Sequence, residues 1–130
     1  MNIFTEPVME TDEAILASWF ANRTQNRWRA VGGKLFVTNR RLAFQPHRLD
    51  AALAGRPWSI PLTSIARLGQ ESGRLSLFEL FSGGIRTRLR VQDFDGHVEY
   101  FVINHLDDVQ MFLAETIFRA KERQDPDNGI

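Results

Sequence analysis

The stretch from Gly32 to Pro46, Gly-Gly-Lys-Leu-Phe-Val-Thr-Asn-Arg-Arg-Leu-Ala-Phe-Gln-Pro, constrains this chain more than any other. Leu35 and Val37 alternate with Lys34 and Phe36, and Leu42 and Phe44 alternate with Ala43 and Gln45. Each arm therefore has the period of two of a β-strand. Asn39-Arg40 falls between the arms, and asparagine tolerates the left-handed backbone that a tight hairpin turn needs. With those two residues as the loop, Val37 faces Leu42 and Leu35 faces Phe44, two apolar cross-strand pairs on one sheet face. Gly32-Gly33 gives the chain freedom before the first arm, and Pro46 ends the second.

This stretch resembles the GRAM domain, a member of the pleckstrin-homology-like (PH-like) superfamily. The pattern is carried by Gly33, Lys34, the strand Leu35 to Val37, the turn Thr38 to Arg41, the strand Leu42 to Phe44, and then Pro46-His47. It is specific across residues 32–46 and looser, but in the right order, from Glu13 to Arg119. The resemblance implies a mainly β fold, a PH-like barrel of two packed antiparallel sheets with about seven strands, capped by one C-terminal α-helix. It also implies a module that binds lipids or proteins, without catalysis. The corresponding division is a flexible arm over 1–12, the domain over 13–123 and a disordered tail over 124–130.

Composition sets independent bounds. A chain of 130 residues with 43% hydrophobic and 25% charged residues suits one soluble domain with a single core. The absence of cysteine excludes disulfides and thiolate metal sites. No apolar run approaches the ~20 residues of a membrane-spanning helix, and the N-terminus lacks the basic and apolar regions of a secretory signal. The expected location is the cytoplasm, with peripheral attachment to a membrane if lipid is the ligand.

The net charge of zero hides an uneven distribution. Between Ala14 and Gln70 lie Arg23, Arg27, Arg29, Lys34, Arg40, Arg41, Arg48, Arg56 and Arg67, against Asp50 alone. That segment carries about +8 and the remainder about −8, an asymmetry that points to an anionic partner if it survives folding.

In chain order, Ala14 to Phe20 reads as the first strand and Asn22 to Arg29 as a polar connection into the hairpin. In PH domains the equivalent loop commonly cradles a phosphorylated headgroup. Here it holds Arg23, Arg27 and Arg29 around Trp28, with Lys34 beyond. Arginine forks bind phosphate through paired hydrogen bonds, and tryptophan suits the headgroup layer of a bilayer. Arg23, Arg27, Trp28, Arg29, Lys34, Arg40 and Arg41 are thus the candidate lipid- or anion-binding residues. The alternative is a solvated loop with Trp28 folded on the barrel end.

His47 to Pro57 reads as a long connection whose Leu49 and Leu53 either plug the barrel or dip into lipid. Trp58 to Leu62 is a short edge strand, Thr63 to Ile65 a turn, and Ala66–Gln70 and Leu75–Phe81 are further strands. Ile85 to Val91 alternates cleanly, placing Arg86, Arg88 and Arg90 on one face as a second candidate anion stripe. Asp95-Gly96 then turns the chain into His97–Ile103. A loop of two, three or four residues would set Arg90 against Phe101, Tyr100 or Glu99.

Asn104 is the expected N-cap of a helix whose first turn carries Asp107 and Asp108. Val109, Phe112, Leu113, Thr116, Ile117 and Ala120 form its core-facing stripe. A second row, Met111, Ala114 and Phe118, either widens that face or offers Met111 and Phe118 to a protein partner or a second copy. His47, His97 and His105 have no metal-ligand spacing, no nucleophile motif is present, and stacking aromatics are not interleaved with the basic residues. No enzyme, metal, cofactor or nucleic-acid partner is expected. The expected partner is an anionic lipid or phosphorylated headgroup, or alternatively another protein.

Overall fold

The computed structural model describes residues 7–26, 29–47, 55–72 and 87–124, without the side chains of residues 25, 26, 29 and 72. Strands β1 (Ile15–Asn26), β2 (Arg29–Thr38), β3 (Arg41–Pro46) and β4 (Trp58–Pro61) are followed by a 3-10 turn at Leu62–Ser64. Strands β5 (Ile65–Ser72), β6 (Thr87–Asp93) and β7 (Val98–Ile103) precede helix α1 (Leu106–Gln124). Among the described residues the strands form one antiparallel sheet in the order β4-β3-β2-β1-β7-β6-β5.

The central hairpin has the register that its alternation demands, with Val37 opposite Leu42 and Leu35 opposite Phe44. All four side chains are buried. Gly33 is required by close approach rather than by an unusual backbone angle. A Cβ there would lie 2.1 Å from the Gln45 carbonyl oxygen and 2.8 Å from the Pro46 Cα. Strand β3 can cross β2 at that point only if the side chain is missing.

The expected two packed sheets are not seen: among the described residues there is one sheet, and it is not closed. The reason lies in β1, which runs 12 residues instead of stopping near Phe20. Its full length pairs with β2, while Ala21, Asn22 and Arg23 also pair with Ile103, Val102 and Phe101 of β7. One strand therefore joins both halves edge to edge. The polar segment Asn22–Asn26 is consequently strand rather than connection, and only residues 27 and 28 separate β1 from β2. Polar composition does not prevent pairing, because the ladder is made by backbone groups.

The strands at the two ends of the sheet, β4 and β5, are linked through the 3-10 turn, and α1 packs chiefly on that turn and then on β5 and β6. Val109, Leu113, Thr116, Ile117 and Ala120 are buried as the periodicity predicts. Phe112 is the exception. It sits on the flank of the helix, 39% exposed, with its ring 5.8 Å from Trp19 in an edge-to-face contact. The helix also opens one residue later than expected. The first helical bond runs from Val109 N to the His105 carbonyl, and His105 takes φ 56°, so His105 rather than Asn104 occupies the cap.

The β6–β7 connection resolves the open register. Arg90 stands opposite Tyr100, and Gly96 with φ 89° closes a three-residue loop of Phe94, Asp95 and Gly96. The proposed strand Leu75–Phe81, the Leu49 and Leu53 segment and the tail 125–130 lie outside the described residues.

Substitution of Gly33 by alanine is expected to lower the unfolding free energy by about 3 kcal/mol or more, because backbone must move. Gly69→Ala, whose Cβ would meet nothing within 4 Å, is expected to change it by less than about 1 kcal/mol. Urea unfolding midpoints of the two variants check the contrast.

Candidate functional site

Among the described residues, the candidate basic residues lie in separate places. Arg23 and Arg29 flank the β1–β2 connection, while Arg40 and Arg41 lie at the β2–β3 turn. The ten residues of β2 separate these groups, a span of about 30 Å at the usual rise of a strand. Arg27 and Trp28 lie outside the described residues, as does the side chain of Arg29.

Arg23 points to the inner side of the sheet, where Glu99 meets it. Its Nε donates to Glu99 Oε2 at 3.0 Å and its Nη2 to Glu99 Oε1 at 2.9 Å. Nη1 donates to the carbonyl of Arg56 at 3.1 Å. The pair is 11% and 8% exposed, so it is a structural clamp between β1 and β7. His97 Nε2 lies 2.9 Å from the same carboxylate. Burial alone would raise the Glu99 carboxyl, but the hydrogen bonds from Arg23 and His97, with the charge on Arg23, together hold it below its ordinary value.

A second clamp explains the Thr-Asn-Arg-Arg turn. Thr38 Oγ1 accepts from the amides of Arg40 and Arg41, both at 3.0 Å, and donates to Glu13 Oε2 at 2.6 Å. Arg41 holds the same carboxylate through Nε at 2.9 Å and Nη2 at 3.2 Å, and Nη2 also donates to the Val8 carbonyl. Asn39 Nδ2 donates to Asp12 O at 3.0 Å, while its Oδ1 accepts from Ala14 N at 2.9 Å. The segment before β1 is thereby tied across the turn. Burial would raise the Glu13 carboxyl. The bonds from Thr38, Arg41 and the Glu10 amide outweigh it and lower the pKa.

Lys34 lies on the opposite, outer face of the sheet. Its Nζ sits 5.0 Å from the centroid of the Phe20 ring, and Phe20 is 66% exposed. Leu16, at the register shift near the start of β1, is also exposed. This apolar-cationic strip was not singled out in the sequence. The alternation of Leu16, Ser18 and Phe20 against Ala17, Trp19 and Ala21 does not say which set faces inward.

The second arginine stripe is interleaved with polar neighbours. Arg90 Nη1 donates to Gln92 Oε1 at 2.7 Å, and Arg88 stands opposite Glu71 in the β5–β6 register. Arg86 lies outside the described residues. On α1, Met111 and Phe118 are 73% and 62% exposed and project away from the core. Among the described residues no cluster of potential metal ligands occurs, and no helix is long and apolar enough to cross a membrane.

Glu13 and Glu99 are the important residues that the sequence did not mark. Both lie outside the basic segment Ala14–Gln70, yet each neutralises an arginine within it. The 28 residues from Glu13 to Arg41 and the 76 from Arg23 to Glu99 leave no local signal.

No family model and no curated protein matches the sequence. Solved structures do match in shape. The N-terminal PH domain of Vps36 superposes with a TM-score of 0.58 at 18% identity, over 91% of this chain and 86% of that one. The fold is PH-like. The C-terminal domain of an unknown protein from Leishmania infantum gives 0.62 at 19% identity, over 83% of this chain and 87% of that domain. A truncated linker-DH/PH structure of p115-RhoGEF gives 0.54 at 10% identity, over 88% of this chain but 30% of its own length. At these identities the likeness defines the PH-like fold alone.

Because both folded carboxyls lie below the ordinary 4.5, their ionised forms are favoured by folding. Their stabilisation is complete above that value and is lost as pH falls through the lower folded values. The urea unfolding free energy should therefore stay level from about pH 7 to 5 and decline below 4.5. Glu13→Gln and Glu99→Gln should each be less stable at neutral pH and show a shallower acid decline. A wild-type profile that stays level to pH 3 would contradict both clamps.

Proposed function

We propose that this chain is a GRAM-like, non-enzymatic module that docks reversibly on membranes rich in anionic lipid headgroups. The observation that carries the reading is the exposed Phe20 ring beneath the Lys34 ammonium on the outer face of the β1–β2 hairpin. An apolar ring flanked by a cation suits the boundary between acyl chains and phosphates. Arg27, Trp28 and Arg29, at the end of the same hairpin, extend that surface in sequence. Arg23 serves it indirectly, by fixing the base of the hairpin to β7. Basic residues near an anionic bilayer contribute about 1 kcal/mol each. Three or four of them with one inserted aromatic support transient rather than permanent attachment.

A second reading is favoured by a separate observation, the exposure of Met111 and Phe118 on the outward side of α1. There the domain would bind protein, either a second copy or a different chain, with no lipid involved.

Co-sedimentation with phosphatidylcholine vesicles, with and without phosphatidylserine, separates the readings. The membrane reading expects pelleting only with phosphatidylserine, lost in high salt. Lys34→Glu combined with Arg29→Glu should weaken it about tenfold or more, whereas Met111→Ser with Phe118→Ser should leave it unchanged. No pelleting at low salt overturns the membrane reading. A mass that rises with concentration, and falls back in the Met111/Phe118 variant, would favour protein association.

A further inference from the structure

A cleft of about 630 Å³ opens where the β2–β3 turn, β4, the 3-10 turn and the C-terminal end of α1 meet. Three arginines line it, the consecutive Arg40 and Arg41 where the turn enters β3 and Arg123 on the last turn of α1, together with the carboxylates of Glu10 and Glu13. Ser59, Thr63 and Gln124 add hydroxyl and amide groups, and Pro61 and Ala120 supply apolar wall. It lies at the far end of β2 from residues 27 and 28, and neither Phe20 nor Lys34 lines it.

The three arginines differ in how they are held. Arg41 is fixed by Glu13 through Nε and Nη2, which leaves Nη1 outside those bonds and the guanidinium already oriented. Glu13 also lines the cleft, but its side chain is fully covered and its carboxylate is bonded to Arg41 and Thr38. Arg40 is 48% exposed, its nearest carboxylate is Glu10 at 3.5 Å, and Glu10 is itself 71% exposed. A pair so open and so long contributes little and exchanges readily. Arg123 is exposed and enters no ion pair or hydrogen bond among the described residues. The site thus offers one pre-oriented arginine and two that can close, against two carboxylates: Glu10, loosely held, and Glu13, already bonded to Arg41 and Thr38.

We infer that this cleft binds a phosphomonoester group, with Arg40, Arg41 and Arg123 around the phosphate and the organic part against Pro61 and Ala120. Three planar forks, two from the entry of β3 and one from the end of α1, match a tetrahedral dianion with several acceptor oxygens better than a single carboxylate. The volume falls in the range of small-molecule sites and far exceeds a bare phosphate. Glu10 acts as the displaced counter-charge: it screens Arg40 in the empty cleft and swings away when the ligand enters. The phosphomonoester belongs either to a soluble metabolite or to a lipid headgroup, and the same chemistry serves both.

The test uses the full chain and two probes. Amide chemical shifts are followed during titration with phenyl phosphate, a soluble organic phosphomonoester. Saturable shifts are expected at Arg40, Thr63 and Arg123. Arg40→Glu and Arg123→Glu, both at exposed positions, should weaken binding at least tenfold with an unchanged melting temperature. Glu10→Gln should tighten it severalfold, an effect that a merely structural role for Glu10 would not produce. Lys34→Glu should have no effect, so this result stands or falls apart from membrane docking. In a second arm, vesicles containing phosphatidic acid, whose headgroup is a phosphomonoester, are compared with vesicles containing phosphatidylserine. Loss of the phosphatidic-acid preference in Arg123→Glu assigns the ligand to lipid. Binding of phenyl phosphate with no such preference assigns it to a soluble molecule. If neither probe gives a saturable response, or the response persists in both arginine variants, the inference is wrong.

Discussion

The three-residue ladder between Ala21–Arg23 of β1 and Phe101–Ile103 of β7 joins two groups of strands that otherwise share no backbone pairing among the described residues. On one side lie β4, β3 and β2, and on the other β6 and β5. So short a ladder gains from the buried clamp beside it, in which Arg23 grips Glu99 with two nitrogens and reaches the Arg56 carbonyl with the third. Removing one member of a buried ion pair typically costs about 3–5 kcal/mol, because the other charge is left without a partner. The clamp therefore fixes how the hairpin face and the helix-bearing half are set relative to each other. Any surface that uses residues from β1 and β2 inherits its geometry from that contact.

Much of this was legible in the residues, for identifiable reasons. Leu35, Val37, Leu42 and Phe44 stated their pairing because alternation and a short Asn-Arg turn leave little freedom in register. Leu89 and Val91 declared their inward face in the same way, and the stripe from Val109 to Ala120 declared the helix. The segment Asn22–Asn26 was opaque because side-chain polarity was its only visible property, while its structure depends on backbone pairing with strands on both sides. The expectation of two packed sheets came from the family resemblance; among the described residues β1 continues past Phe20 to pair with β7, and one sheet results. His105 hid the helix start because its left-handed backbone displaces the cap by one residue from the better capping side chain, Asn104.

The charge segregation was real in sequence and largely undone in space. Arg23 and Arg41, which looked like part of a basic surface, are bound to acids brought from outside the segment. Of the others among the described residues, Lys34 lies on the cationic-apolar face with Phe20, and Arg40 lies in a cleft with Arg123. A cluster of arginines in sequence is therefore a weak guide to a surface when the fold can supply buried carboxylates. The positions that the sequence undervalued were the acids, since Glu13 and Glu99 decide which arginines stay available.

Among the described residues β4 is an outer strand of the sheet, with a consequence for how copies of this domain can meet. It runs four residues, begins one residue after Pro57 and ends at Pro61. A proline nitrogen offers no hydrogen to an incoming strand, and so few residues give poor purchase for sheet extension. At the opposite margin, β5 begins with a register shift between Ile65 and Arg67 that breaks the regular template near its start. Such features are ways of discouraging strand-by-strand growth into fibrils. A domain with such margins can be concentrated, many copies side by side, without its sheets fusing.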